Sequence, residues 1–464
     1  MNRNHADRIV DQTLDLLHKK SPDGYEIFII ESSHFEVESK EGKVDTLQIS
    51  EPWGISLRVL NEGRTGFAYG TSHQAPFQGD AKSLLKRLVE DAWASAEATT
   101  GDPSFDFAPP LKHPLPQLPI FDETLPGVSE KRKIEHARLL EEAARSVDVE
   151  RITKVRKASY QEAISKVTLI NSNGLHYSYE VTYATISVMA VAEAGGESEM
   201  GWEFDFSHHL DRINATKTGV SAGRRALDRL GGRRISSGVY PILLENQVAS
   251  EFLSLLAHAF LSEQVQKGKS NLRGKLGVHY FSPSLSIVDD GLLAEGAGTS
   301  PIDGEGTPSQ RTLLVKDGEI KGYLYDRFWA NRQRRSSPED RVESTGNSMR
   351  HGIKSPPSLG VSNLYIHPGT APFSSILKSL QKGVFIEEVM GLHTVNPISG
   401  DFSLGCAGQW IEKGEKVHPI KSIAIAGNLY QLFKKVTEVG SDLRFFGRIG
   451  SPSLLIEGLE ISGN

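Results

Sequence analysis

Between Gly101 and Pro126 the chain carries seven prolines: Pro103, Pro109, Pro110, Pro114, Pro116, Pro119 and Pro126. No helix interior or central strand runs through such a stretch, because each proline removes a backbone donor and holds its own torsion fixed. The stretch therefore predicts an extended, semi-rigid strap between domains. The 464 residues amount to about three domains at ~150 residues each. A second break is expected at Gly231-Gly232, just after a predicted helix. The expected layout is an N-terminal α+β domain over 1–100, a linker over 101–126, a middle α+β domain over 127–232 and a β-rich C-terminal domain over 233–464.

Hydrophobic periodicity fills in these units. Ile9, Val10, Leu14 and Leu17 share one helical face, and Leu84, Leu85, Leu88, Val89 and Ala92 share another. Between them, runs at 25–30, 34–40, 44–50, 53–60 and 65–71 read as strands, with Gly42 and Gly63 in hairpin turns. After the strap come a charged helix over 130–147 and strands at 151–160, 164–171, 175–181 and 183–194. A helix over 215–230 follows, with Asn214 as its N-cap. The last segment offers a helix over 247–260, a Gly-rich loop over 291–306 and a hairpin around Asp317-Gly318. Strands follow near 363–367, 383–389, 402–411 and 453–461. The strands do not alternate with helices as parallel sheets require. The expected class is α+β with mostly antiparallel sheets and packed helices.

Composition excludes several function classes. Acidic residues outnumber basic ones, 58 to 52, and no basic stripe appears, so direct nucleic-acid binding is not expected. Cys406 is the single cysteine, which rules out an intrachain disulfide and a Cys-based zinc site. The first residues lack an apolar signal core, and no apolar run approaches the ~18 residues of a membrane span. A cytoplasmic protein is the expectation.

Near-motifs fail on their context. Gly268-Lys269-Ser270 ends like a phosphate loop, but Glu263 stands where the loop's first glycine belongs. Gly219-Val220-Ser221-Ala222-Gly223 matches a nucleophile elbow, yet its serine lies inside a predicted helix. The 15 histidines contain no His-Glu pair and no spacing that would bring two rings to one ion. His208 and His209 are adjacent and would point to opposite faces of a strand. The Gly-rich loop is the remaining candidate. Its glycines allow close approach to another chain, while Asp303 and Glu305 add negative charge that disfavours phosphate. It reads either as the wall of a peptide or partner groove or as a cluster of surface turns.

These motifs, taken in order, resemble one family. Asp303-Gly304-Glu305-Gly306-Thr307-Pro308-Ser309-Gln310-Arg311-Thr312 is followed by Gly318-Glu319-Ile320-Lys321-Gly322-Tyr323-Leu324-Tyr325-Asp326. Then come Thr345-Gly346-Asn347, Leu364-Tyr365-Ile366-His367-Pro368-Gly369 and Asn396-Pro397-Ile398-Ser399-Gly400-Asp401-Phe402-Ser403. The set resembles the TldD/PmbA family, and the ending Ser441-Asp442-Leu443-Arg444-Phe445-Phe446-Gly447 is similar to its PmbA (TldE) branch.

The resemblance implies a multi-domain TldD/PmbA-like architecture and a subunit of a metalloprotease complex. That complex processes or degrades small, unfolded or leader-bearing peptides. The TldD branch carries H-E-x-x-x-H on a helix and a cysteine near its C-terminus. Aligned on Tyr240 to Leu244, the corresponding positions here are Ser254, Leu255 and Ala259, with His258 one residue out of register and no cysteine over 447–452. The resemblance therefore implies no catalytic residue, no metal and no cofactor in this chain, with zinc in a TldD-like partner subunit. It also allows a homodimer. Peptides that add a strand to a sheet edge would meet Gly304, Glu305, Gly306, Thr307, Asn347, Asn396, Gly400, Asp401 and Phe402. Asp401 and Asn347 could bond peptide backbone or serve structural turns. The alternative is a self-contained peptidase with an unrecognised site. An older idea for the family, modulation of DNA gyrase, leaves only an indirect route at this net charge.

Overall fold

The structure is a computed structural model and describes residues 3–73 and 81–463. Its N-terminal half begins with α1 (Arg3–His18), β1 (Gly24–Lys40), β2 (Lys43–Ser50), β3 (Trp53–Asn61), β4 (Arg64–Ser72) and α2 (Ala81–Glu97). After the strap come α3 (Glu130–Ser146), β5 (Ile152–Asn171), β6 (His176–Ala194), β7 (Glu197–Ser207) and α4 (Ala215–Asp228). Strands from both sides of the strap join in one seven-stranded sheet, ordered β4-β3-β1-β5-β6-β7, with β2 paired to β1. Every pairing in it is antiparallel.

Side chains alternate between the two faces of this sheet. Ile27 and Ile29 of β1 and Ile55 and Leu57 of β3 pack under α1 and α2. Val37, Tyr160 and Ile186 pack under α3 and α4. Phe28, Val167 and Leu169 face the other way, onto Ala108 of the strap and Ile302 of the Gly-rich segment. One face is thus covered by helices, and the other by irregular chain.

Hydrophobic alternation splits β1, β5 and β6 into two runs each, but they are single strands of 17, 20 and 19 residues. The apparent breaks are buried polar residues with partners. Ser32 shares a 2.8 Å hydrogen bond with Ser165. Glu162 accepts from Lys133 and Tyr160. The Thr182 hydroxyl donates to the His208 carbonyl at 2.7 Å.

The G-x-S-x-G stretch has a packing role. A Cβ on Gly219 would lie 2.5 Å from the Leu140 carbonyl, and one on Gly223 2.6 Å from that of Ala144. The two glycines, one turn apart on α4, let it press backbone to backbone on α3. Ser221 between them donates to Glu203 at 2.8 Å. Asn214 caps α4, accepting from Lys217 N at 2.9 Å.

The C-terminal half opens with β8 (Gly238–Leu244), α5 (Asn246–Phe260), α6 (Ser262–Gln266), β9 (Ile287–Asp290), β10 (Arg311–Lys316), β11 (Glu319–Ile320) and α7 (Arg327–Ser336). Next are β12 (Ser348–Met349), β13 (Ser358–Leu359), β14 (Leu364–Ile366), α8 (Phe373–Ser379), β15 (Lys382–Met390), β16 (Asp401–Glu412) and β17 (Glu415–Asn428). The chain ends with α9 (Leu429–Lys434), β18 (Val436–Val439), β19 (Arg444–Phe446), β20 (Ile449–Ser451) and β21 (Leu454–Ser462). One sheet runs β17-β16-β15-β8-β21-β18, and a further β17–β21 pairing closes five of its strands into a ring. A second runs β11-β10-β9-β14-β20-β19. Only β8–β15 and β14–β20 pair in parallel among the described strands. The expected α+β class with mostly antiparallel sheets describes this architecture. Between the two sheets, α5 buries Val248, Phe252, Leu253, Leu256 and Phe260 in the largest core. Among the described residues no helix is long and apolar enough to cross a membrane.

The strap ties the halves together. Phe105 stacks on Phe328 of α7 at 4.4 Å, and Asn331 donates to the Ser104 carbonyl at 2.9 Å. From the sheet, Asn171 and Asn173 donate to the carbonyls of Ala108 and Phe107 at 2.9 and 2.8 Å.

Candidate functional site

The Gly-rich segment after β9 lies on the sheet face that the helices leave open. Asp303 shapes its tip. One carboxylate oxygen accepts from the N–H groups of Glu305 and Thr307 at 3.0 and 2.9 Å, and the other accepts from Ser348 at 3.1 Å. Gly306 follows with φ +90°, where a Cβ would come within 2.2 Å of the Leu175 side chain. Only glycine meets both demands. Farther back, Asn363 buckles the segment, accepting from Gly298 N at 2.8 Å and donating to the Asp290 carbonyl and the Thr299 hydroxyl. Buried His208 places one ring nitrogen 3.1 Å from the Gly296 carbonyl and the other 2.7 Å from that of Thr182.

Charge is buried where the tip meets the sheet. Glu26 of β1 accepts from Arg58 Nε at 2.8 Å and also from Arg350. Arg350 Nε donates to the Gly304 carbonyl at 2.6 Å. Burial alone would raise the Glu26 carboxyl, but the Arg58 and Arg350 guanidiniums outweigh it and hold it below its usual range. Burial pushes Arg350 down to about 10 in spite of Glu26. Burial also lifts Asp303 to about 7, against the pull of its three N–H donors. Glu305 is raised well above an ordinary carboxyl by burial and by the neighbouring Asp303. By sequence this loop is a source of negative charge that disfavours phosphate. Burial removes much of that charge, because a low-dielectric setting favours the protonated acid.

The sequence candidates fall into two groups. Gly304, Glu305, Gly306, Thr307 and Asn347 come together at this junction. Asn347 is buried, donating to Asp289 at 2.6 Å and to the Gly360 carbonyl at 3.1 Å and accepting from Thr345 at 2.6 Å. Asn396, Gly400, Asp401 and Phe402 belong to a separate turn entering β16. There Asn396 accepts from the N–H groups of Ile398 and Ser399. Asp401 accepts from Asn428 at 2.8 Å, Gly400 is packed on Tyr430, and Phe402 packs on Phe252 of α5. Glu26, Arg58, Arg350 and Asn363 escaped the sequence reading. Charged residues inside strands read as solvated, and partners 32 to 324 positions apart leave no local pattern.

Two cavities flank the tip. One of about 210 Å³ lies between the sheet face and the Gly-rich segment, touching Phe28, Val167, Tyr179, Tyr183, Gly304 and Arg448. The other, about 560 Å³, lies between Pro109–Leu115 of the strap, Gly306–Pro308 and α7. On α5, Ser254 and His258 are exposed, Leu255 is half-buried against the core and Ala259 is buried. The helix packs against β19 and β20. Among the described residues no group of three or more His, Cys, Asp or Glu side chains is placed to hold a metal ion.

Comparison with known proteins matches all three parts of the chain. Residues 25–96, 123–230 and 237–463 match domain 1, the central domain and the C-terminal domain of the PmbA/TldA metallopeptidases. Metalloprotease PmbA of Escherichia coli O157:H7 is 27% identical over 464 residues, spanning 99% of this chain and 97% of that protein. A crystal structure from Thermotoga maritima, described as a candidate modulator of a DNA gyrase, superposes with a TM-score of 0.86 at 26% identity, over 98% of this chain and 100% of that one. TldE from Thermococcus kodakarensis shares the fold, with a TM-score of 0.86 at 21% identity over 97% of this chain and 100% of its own. The chain belongs to the PmbA/TldD metallopeptidase family.

Proposed function

We propose that this chain is a PmbA/TldE-type subunit that completes the substrate chamber of a metallopeptidase. In this reading the zinc is held by a TldD-like partner subunit, and the pair processes small or unfolded peptides in the cytoplasm. The carrying observation is the donor set on α5. A hydrolytic zinc needs about three protein ligands and a carboxylate to handle its water's proton. Ser254 offers a neutral hydroxyl, Leu255 and Ala259 offer none, and His258 stands alone on the exposed face. Glu251 lies about two turns away from His258 and is raised by burial. Cys406 is buried on β16, and burial pushes its thiol up to about 12, away from the thiolate a metal requires. These residues do not suit a catalytic zinc.

An exposed edge supports pairing. β2 bonds only to β1 among the described strands and exposes Val44, Leu47 and Ile49. An unpaired edge with apolar side chains is a ready template for pairing with another chain. A TldD-like chain is the proposed partner, and a homodimer would use related surface in its absence. The test is peptide cleavage by this chain, by a TldD-like chain and by their mixture. Cleavage that appears only with the mixture, together with a mixed dimer in light scattering, is the expected result. Equal cleavage by the TldD-like chain alone would remove the subunit role.

A further inference from the structure

The smaller cavity beside the Gly-rich tip has the chemistry of a terminal-carboxylate site. Its floor is the apolar face of the sheet, with Phe28, Val167 and Leu169. Its wall carries Arg448, which is exposed and has no carboxylate within ion-pair distance among the described residues. Its one side-chain hydrogen bond goes to the Met349 sulfur at 3.0 Å, a weak acceptor that leaves most of the guanidinium fork free. Tyr179 and Tyr183 of β6 line the same space. Burial raises both phenols, and the positive charge of Arg448 opposes that rise. Arg350 in the same wall is already committed to Glu26 and Gly304. The one free cation among these wall residues is therefore Arg448.

Size narrows the ligand further. At about 210 Å³ the cavity is smaller than the ~300–1,000 Å³ that drug-sized ligands occupy. That space suits one residue, and a longer chain would leave through the open side. A guanidinium fork matches a planar carboxylate, and the apolar floor matches a hydrocarbon side chain better than it matches phosphate.

We propose that this cavity takes the C-terminal residue of a short peptide, with the free carboxylate on Arg448 and the Tyr179 and Tyr183 hydroxyls and the side chain on the sheet floor. The proposal rests on the peptide-processing reading for its ligand class. Held there, a peptide would be measured from its C-terminus, and longer substrates would run outward past Gly304.

The test is calorimetric titration of the full chain with the tripeptide Ala-Ala-Leu, its C-terminal amide, and free leucine. The free acid should bind at least about tenfold tighter than the amide, the loss expected when a charge-assisted pair disappears. Arg448→Gln should remove that preference with an unchanged melting temperature, since the side chain is exposed and bonds only the weakly accepting Met349 sulfur. Tyr179→Phe should weaken the acid alone. Equal binding of acid and amide, an acid preference that survives Arg448→Gln, or no binding of the acid would overturn the proposal. Leucine binding as tightly as the tripeptide would overturn the peptide assignment. The titration needs no partner subunit, so its failure and a failed mixed-complex assay are separate results.

Discussion

The seven-stranded sheet has two faces built from the same strands, and they differ in kind. The helix-covered face is mainly an apolar core of Ile27, Ile29, Leu57, Tyr160 and Ile186, with one buried ion pair, Lys133–Glu162, under α3. The face toward the Gly-rich segment mixes Phe28, Val167 and Leu169 with Glu26, Arg58, Arg350, Asp303 and Glu305, and it keeps a cavity. Neighbouring residues of one strand therefore serve different ends. Ile27 packs under helices, while Glu26 and Phe28 on either side face the loop. Alternation lets one sheet carry a mainly apolar core on one face and a denser set of buried charges beside a cavity on the other.

Perturbing each face measures the division. The largest effect is expected at Arg350. Arg350→Met leaves the Gly304 carbonyl without its donor and takes one of two cations from buried Glu26, and breaking such a pair costs about 3–5 kcal/mol. Urea denaturation reads it, and a loss under ~1 kcal/mol would make the ion cluster incidental.

A pH dependence with its largest contribution at the loop face comes next, opposed by His34 and His136, which burial lowers. Asp303 sits at about 7 in the fold, above the roughly 3.9 of an unfolded aspartate. The folded state then holds the proton more tightly. The fold is favoured when the acid is protonated, and stability falls as pH rises from roughly 4 to 7 and then levels. Asp289 and Asp326, both raised by burial to about 6, act with the same sign over a lower window. Melting temperature should be higher at pH 5 than at pH 8, by an amount on the order of a few kcal/mol in stability. Asp303→Asn should flatten that difference. Glu26 has the opposite sign, since its depressed carboxyl gives stability that is lost only in acid, below its unfolded value.

Smaller effects belong to the helix face. Gly219→Ala puts a methyl group 2.5 Å from the Leu140 carbonyl and should cost about 1–3 kcal/mol through the α3–α4 contact. Ile186→Val, in a fully buried position, should cost about 0.5–1.5 kcal/mol. Neither should alter peptide binding or the pH profile. A change in either readout from these two variants would mean that the faces are not independent.

The residues that sequence made legible are those with local causes. Periodicity marks α2, α3 and α5 to within about two residues, and Asn214 caps α4 as its position before the helix suggests. The Asp303-Gly304-Glu305-Gly306 segment is legible as a Gly-rich acidic turn because its pattern is contained in a few residues. Strand β7 misleads because its alternation is inverted, with apolar Met200 and Trp202 exposed while Glu203 is buried. Glu203 of β7 is buried only because Arg444, Arg225 and Ser221 surround it. The Glu26–Arg58–Arg350 cluster draws on three distant segments, and a charge in a strand reads as exposed until its partner is known. Resemblance to the family supplied what periodicity could not, namely that 254, 255 and 259 are the positions to inspect on α5.

Elemental analysis of the dialysed chain, coupled to a peptide-cleavage assay, tests the subunit assignment most directly. Ser254, Leu255 and Ala259 offer no imidazole, thiolate or carboxylate. The lone chain should hold well under about one zinc and cleave nothing, while a mixed complex should hold about one zinc per pair, in the partner. Stoichiometric zinc that survives dialysis and supports cleavage by the isolated chain would contradict the assignment and make this protein a peptidase in its own right.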